Sequence, residues 1–231
     1  MALTHMSQLQ WFKQYFFYKM KKILRPNGRE DFISNLPNGA NLLDVGCGNN
    51  SPFKTKIINN SLIYTGLDIG DYNQTTPNLA DKYILSTPEE FALTISKMTN
   101  SFDAVISSHN LEHCDDRQAT LIAMLDSIKV GGRLFISFPS ERSVEFPSRG
   151  GTLNYFDDPT HKLKPPSYAE VIQTIISKGF EIQFQSPNYS PVMSRFLGFI
   201  LEPLSRLRNQ VMFATLAFYG YETIIIAKKS H

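Results

Sequence analysis

The chain is poor in cysteine: Cys47 and Cys114 are the only two in 231 residues, too few for a disulfide framework and suited to a reducing compartment. It also lacks a long apolar run. No stretch reaches the roughly 18 apolar residues of a membrane span. The longest candidate, residues 209–221, contains polar residues and lies between Arg208 and Glu222. The first twelve residues show neither the charged start nor the apolar core of a secretory signal. Charge of one sign is scarce too: the formal net charge is +2, which gives no electrostatic argument for nucleic acid as a partner. Glycine and proline, 13 of each, are too few for a collagen-like or low-complexity chain. Hydrophobic residues at 42% against 19% charged exclude a disordered polar chain. The expectation is a cytoplasmic protein built around one full domain.

The small net charge is unevenly spread. Residues 1–30 hold Lys13, Lys19, Lys21, Lys22, Arg25 and Arg29 against Glu30, a local charge of +5 that leaves −3 for the rest. Residues 1–30 therefore read as an amphipathic helical arm, and residues 31–231 as a single domain. On a helix over residues 8–25, Leu9, Phe12, Phe16, Met20 and Ile23 share one face, while Trp11, Phe17 and Tyr18 lie elsewhere. Such a helix needs more than one partner: the body, a second copy in a homodimer, a membrane surface met peripherally through its lysines, or a substrate it covers. The opening six residues are set aside from fold reasoning.

From residue 41 short apolar runs alternate with helical stretches. Strands are expected at 41–45, 62–67, 83–85, 104–107 and 133–138, and helices at 52–59, 88–98 and 116–128, with Asp115 and Asp116 at the start of the last. This alternation implies right-handed crossovers and a parallel sheet covered on both faces, a Rossmann-like three-layer αβα sandwich. Gly131-Gly132 reads as a sharp turn before the strand at 133. Residues 140–167, rich in Ser, Pro, Gly and Asp, read as a long functional loop. A helix at 168–177, a strand at 180–185, apolar helices over 192–217 interrupted near Pro203, and a final β-branched strand at 221–227 complete the pattern.

The strongest chemical signal is Asp44-Val45-Gly46-Cys47-Gly48, where a buried strand enters a glycine turn ahead of a helix. Glycines allow close backbone approach and positive φ, and the following helix start favours a negative group. About 20 residues on, the next strand ends in Asp68, placed to hold two ribose hydroxyls. The pair points to a nucleoside-containing cofactor. Ser51 stands where a dinucleotide fingerprint needs its last glycine. Asp44 would repel a pyrophosphate and attract an ammonium group, so an amino-acid-like cofactor end is favoured over NAD.

These segments resemble the class I S-adenosylmethionine-dependent methyltransferases. Residues 44–48 look like their first motif, Gly66-Leu67-Asp68-Ile69 like the second, residues 102–113 ending in Leu111-Glu112-His113 like the fourth-strand motif, and residues 128–134 like the turn into the fifth strand. The resemblance covers about residues 40–140. It implies a seven-stranded, mostly parallel sheet whose last strand is antiparallel, with S-adenosylmethionine as cofactor. By the same resemblance Gly46, Cys47 and Gly48 pass under the methionine part, Asp68 holds the ribose, and Ile69 packs on the adenine. Ser108 and His109 border the sulfonium, and Thr87 stands where the family often has an acid for the adenine amine. Asn50 replaces a third glycine.

The segment Tyr155-Phe156-Asp157-Asp158-Pro159-Thr160-His161 is similar to family loops that border the methyl acceptor. His161, ahead of His113, is the expected general base, because an unperturbed imidazole titrates near pH 6.5. Asp157, Asp158 and His161 have no specific metal-ligand spacing, and no metal is expected. The implied activity is methyl transfer, to an oxygen of a small molecule or glycan. The alternatives are an N-methyltransferase and a methyltransferase-fold binding or scaffold protein without transfer activity. Cytoplasmic location, with peripheral membrane contact through the arm, completes the expectation.

Overall fold

A computed structural model describes residues 8–74, 77–161 and 163–230. Seven strands form one sheet: β1 (Asn41–Val45), β2 (Ile63–Asp68), β3 (Lys82–Leu85), β4 (Phe102–Ser108), β5 (Ile128–Pro139), β6 (Phe180–Tyr189) and β7 (Glu222–Lys229). Their spatial order is β3-β2-β1-β4-β5-β7-β6. The first five strands pair in parallel, and β7 pairs antiparallel with both β5 and β6. The chain winds outward from β1 in both directions, so the crevice above the carboxyl ends of β1 and β4 is the topological switch point.

Alternation along the buried strands feeds both faces. Leu43 and Val45 join a core with Leu67, Val105, Leu134 and Ile136 under α4 (Phe91–Ser96), α5 (Arg117–Ser127) and α6 (Tyr168–Ser177). Leu42, Tyr64, Ala104, Ile106 and Phe135 pack on the opposite side with Phe32 and Ile33 of α2 (Arg29–Ser34), and α3 (Ser51–Ile58) lies against α2. Asp116 caps α5 by accepting the Ala119 N–H at 2.8 Å, as its place before the helix leads one to expect.

Three local expectations are corrected. Gly131, at φ +80°, does not separate two elements: β5 begins at Ile128 and carries the turn within it, where the pairing with β4 jumps from Phe102↔Ile128 to Ala104↔Arg133. Pro203 does not interrupt its helix. Helix α7 runs through it from Val192 to Arg208 and ends at Asn209, φ +49°. Tertiary contacts on both sides of the proline outweigh its lost hydrogen bond. Arg149 clasps Glu202 with two bonds at 2.8 and 3.0 Å and Ser205 at 2.8 Å, while Gly198 abuts α8 (Thr215–Tyr219), where an added Cβ would sit 2.6 Å from Phe218 Cβ.

The third correction concerns α1 (Gln8–Leu24). Phe16, Met20 and Ile23, three of the residues expected to share one face, are exposed, at 57%, 39% and 68%, so the body does not cover that face. Tyr18 and Leu24 are buried instead, because the body grips the end of the helix. Ser194 Oγ donates to Leu24 O at 2.6 Å, Tyr189 Oη to Pro26 O at 2.5 Å, and Arg25 pairs with Glu222. The side chains of Leu9, Trp11 and Phe12 and the opening six residues lie outside what the structure describes.

Candidate active site

The glycine turn leaves β1 at the switch point. Gly46 sits at φ +76°, and a Cβ there would lie 2.4 Å from Asn110 Oδ1, so only glycine fits beside the loop after β4. Cys47 is fully buried, its sulfur 2.7 Å from where a Gly66 Cβ would be. Burial pushes its thiol pKa far up; only its backbone is left for a ligand. Gly48 faces Asp68: a Cβ there would be 3.3 Å from Asp68 Oδ2 and 3.4 Å from Tyr72 Cβ.

Asp68 ends β2 at 7% exposure and accepts the Ile69 N–H at 2.7 Å. Burial raises its carboxyl pKa against the opposing pull of the Ile69, Gly48 and Gly70 amides. Beside it opens a cleft of about 120 Å³ lined by Ile69, Pro88, Glu89, Phe91, Ala92, Asn110 and His113. Thr87 is not among the residues lining this cleft. Its hydroxyl accepts the Glu90 N–H at 3.3 Å, and Pro88 and Glu89 line the cleft in its place.

Asp44 departs from its sequence reading. Its Oδ2 receives Ser51 Oγ at 2.5 Å, Tyr64 Oη at 2.6 Å and the Arg29 guanidinium at 3.2 Å. The carboxylate expected to attract an ammonium is thus already paired. Arg29 also reaches Ser51 at 2.5 Å and Thr55 at 2.8 Å, which places a partly buried cation under the glycine turn. Nothing in the local pattern announced it, because α2 precedes the motif.

Beyond β4 the chain makes a 3-10 turn, Leu111–His113. Ser108 Oγ is buried and has no partner among the described residues. His109, at φ +51°, bridges two carboxylates, Nδ1 to Glu112 Oε1 and Nε2 to Glu222 Oε1, each at 3.2 Å. Burial alone would lower its pKa, but the two carboxylates hold it up at about 10, so at neutral pH it is a cation and not a base. Glu222, despite burial, is held down to about 2 by Arg25 and His109. These residues border a second cavity of about 190 Å³, mainly apolar, with Leu24, Met212, Phe213 and Tyr221 in its wall.

The long loop is ordered by Asp157, whose Oδ2 accepts the amides of Arg149, Leu153 and Asn154 at 2.9 to 3.1 Å. It brings His161 to His113, with ring centroids 4.7 Å apart. His161 is 7% exposed, stacks on Tyr155 at 4.2 Å, and donates Nδ1–H to Tyr155 O at 2.6 Å. Its Nε2 therefore carries the lone pair. Burial draws the His113 pKa below its usual value. The structure joins the two predicted histidines and adds Glu112, Glu222 and Arg25, which sequence reasoning did not single out.

The residues fit S-adenosylmethionine. A glycine cradle, a carboxylate for a ribose, an apolar cleft with an acid at its rim and a partly buried guanidinium follow one another along the switch point.

Comparison with known proteins agrees. Residues 43–136 match the family described as methyltransferase domain. A ubiquinone biosynthesis O-methyltransferase of Saccharophagus degradans is 35% identical over 103 residues, 42% of this chain and 42% of that one. The match thus spans under half the length of that relative. Among solved structures, the complex of the Haloferax volcanii Trm112 methyltransferase activator with a methyltransferase aligns with TM-score 0.62 at 14% identity, over 93% of this chain and 94% of that one. An S-adenosylmethionine-dependent methyltransferase from Mesorhizobium loti aligns with TM-score 0.57 at 16% identity, over 87% and 98%. At these identities the structures attest the fold, while the domain match covers the glycine turn through β5. The chain thus carries a methyltransferase-domain match over residues 43–136, set in a fold that it shares with these structures.

Proposed function

We propose that the chain transfers the methyl group to a hydroxyl oxygen of a small molecule or glycan. The observation that carries this reading is His161, fixed by Tyr155 O so that Nε2 keeps its lone pair, inside the loop expected to border the acceptor. An oxygen nucleophile gains from proton removal, and nitrogen often does not. The name of the Saccharophagus relative, an O-methyltransferase, supports the same choice.

S-adenosylmethionine supplies a methyl group on a sulfonium that is already a good leaving group. The protein's task is to align and exclude water, and alignment alone supplies several kcal/mol. In this reading Asp68 holds the ribose hydroxyls, Ile69 covers one adenine face, and Glu89 meets the adenine amine. The Gly46–Gly48 backbone lies along the methionine part, with Arg29 beneath it to neutralise a carboxylate. Ser108 and His109 border the transferring group. The acceptor hydroxyl is taken beside His113 and His161 under the long loop; the apolar cavity at His109 has neither histidine in its wall. His161 and His113 assist loss of the hydroxyl proton.

The partner of the arm follows from the same surface. Exposed Phe16, Phe17, Met20 and Ile23 sit among Lys13, Lys19 and Lys22, and Ile23 shares a groove with Val192 and Met193 of α7. An apolar face edged by lysines suits a lipid surface; a second copy is the other candidate. Among the described residues no helix is long and apolar enough to cross a membrane.

The test uses a radiolabelled methyl donor against phenols, catechols, sugar hydroxyls and amines. Label is expected on oxygen, and His161→Ala is expected to lower turnover about 10²–10⁴-fold. Label appearing only on amines refutes the reading.

A further inference from the structure

Glu112, His113 and His161 each offer a ligand atom, and the three atoms lie within 4.8 Å of one another. Every one is oriented by a second partner. His161 is fixed through Tyr155 O. Thr160 donates its hydroxyl proton to Asp158 at 2.6 Å, so its oxygen, 3.0 Å from His113 Nδ1, is left to accept from that nitrogen. This makes a carboxylate–hydroxyl–imidazole relay that leaves the His113 Nε2 lone pair free. Glu112 bonds His109 through Oε1, while Oε2 is buried and has no partner among the described residues. Two imidazoles with the same tautomer and a buried carboxylate oxygen present only lone pairs to one another. Asp158 Oδ2 faces the same point, 4.0 Å from His161 Nε2. His109 pairs with Glu112 through Oε1, and leaving the buried Oε2 without a partner still costs roughly 1–3 kcal/mol, which a bound ion would offset.

We propose that Glu112, His113 and His161 bind one divalent transition-metal ion, of the zinc or manganese kind, at the acceptor end of the site. Two nitrogen donors and one carboxylate select such ions over magnesium or calcium. Partners on the outer nitrogens of both histidines are the arrangement that orients metal-bound imidazoles. Atoms bound to one ion at about 2.0–2.2 Å stand closer together than 4.8 Å, so the cluster must close on binding, and exposed His113 is the ligand free to move. Three protein ligands leave coordination positions open.

The inference rests on the hydroxyl reading above and names its agent. An acceptor hydroxyl on an open position becomes more acidic, as metal-bound water does. Its O–H bond breaks and the proton passes to solvent. The oxygen lone pair then forms the O–C bond while the C–S bond breaks and its electron pair stays on sulfur. The histidines then assist loss of the hydroxyl proton through the ion they hold.

The test is calorimetric titration of the untagged, chelator-treated chain with zinc chloride and with manganese chloride. Visible spectra of the cobalt(II)-loaded chain are read alongside. One ion per chain is expected, with ligand-field bands for cobalt. Glu112→Gln keeps the shape and gives up the charge, and His113→Asn changes an exposed side chain. Each should weaken ion binding at least about tenfold, with S-adenosylhomocysteine binding by Glu112→Gln confirming a folded chain. No ion bound by the wild-type chain, or undiminished binding by both variants, overturns the proposal. So does undiminished hydroxyl methylation by ion-free protein, which leaves the hydroxyl reading standing. Ion binding by a chain that methylates only amines supports the metal site and refutes the acceptor assignment.

Discussion

Replacing Asp68 with asparagine separates its two duties. The Asp68 carboxylate accepts the Ile69 N–H at 2.7 Å and stands 3.3 Å from a Cβ position on Gly48. Asparagine keeps a carbonyl oxygen for the Ile69 amide, so the turn should fold. What it loses is the charge facing the ribose. Charge-assisted hydrogen bonds are worth about 1.5–3 kcal/mol each. Two of them, weakened but not abolished by an amide, amount to at least the roughly 1.4 kcal/mol that changes affinity tenfold. Calorimetry with S-adenosylhomocysteine should therefore show at least a tenfold rise in Kd, with the melting temperature nearly unchanged. Burial raises the Asp68 pKa, and a protonated carboxyl cannot accept from both ribose hydroxyls. Wild-type affinity should accordingly decline as pH falls, at a pH above that of an ordinary aspartate, while the Asp68→Asn variant stays flat over the same range. Unchanged affinity in a folded Asp68→Asn chain refutes the ribose assignment.

Arg29→Met should destabilise the chain by about 3–5 kcal/mol, since it leaves Asp44, 2% exposed, without its cation; urea unfolding measures this, and a loss under 1 kcal/mol refutes the pairing. Glu202 is held down from 4.5 to about 2: burial would raise it, but bonds from Arg149, Tyr219 and Arg206 prevail. Because the folded value is depressed, this contribution of about 3 kcal/mol is full above pH 4.5 and is lost as pH falls from 4.5 toward 2. The acid limb of thermal stability should shift upward in Arg149→Met, and an unmoved limb contradicts the assignment. Anionic liposomes should sediment the wild-type chain, and Phe16→Ser with Ile23→Ser should reduce this several-fold. A salt-insensitive dimer unaffected by lipid, seen by analytical ultracentrifugation, selects the second copy instead.

Local pattern was sufficient for the frame. Buried β-branched runs, the turn at Gly46 and the acid at Asp68 announce strands, a glycine turn and a buried carboxylate at the end of β2, because each depends on residues within a few positions of one another. The helix at Tyr168–Ser177 was legible to the residue. Where neighbours in space are far apart in sequence, the pattern was silent. Arg29 and Asp44 are 15 residues apart and meet only because α2 packs under β1. His109 and Glu222 are 113 apart and meet because β7 inserts beside β5, with its first residue at the carboxyl end of β5. The same holds for α1, whose hydrophobic spacing indicated an apolar face but not which side the body would cover. His113 and His161 were each visible as titratable groups near an expected acceptor. That they stand together with Glu112 over one point was decided by a loop tied through Asp157, a contact no periodicity encodes.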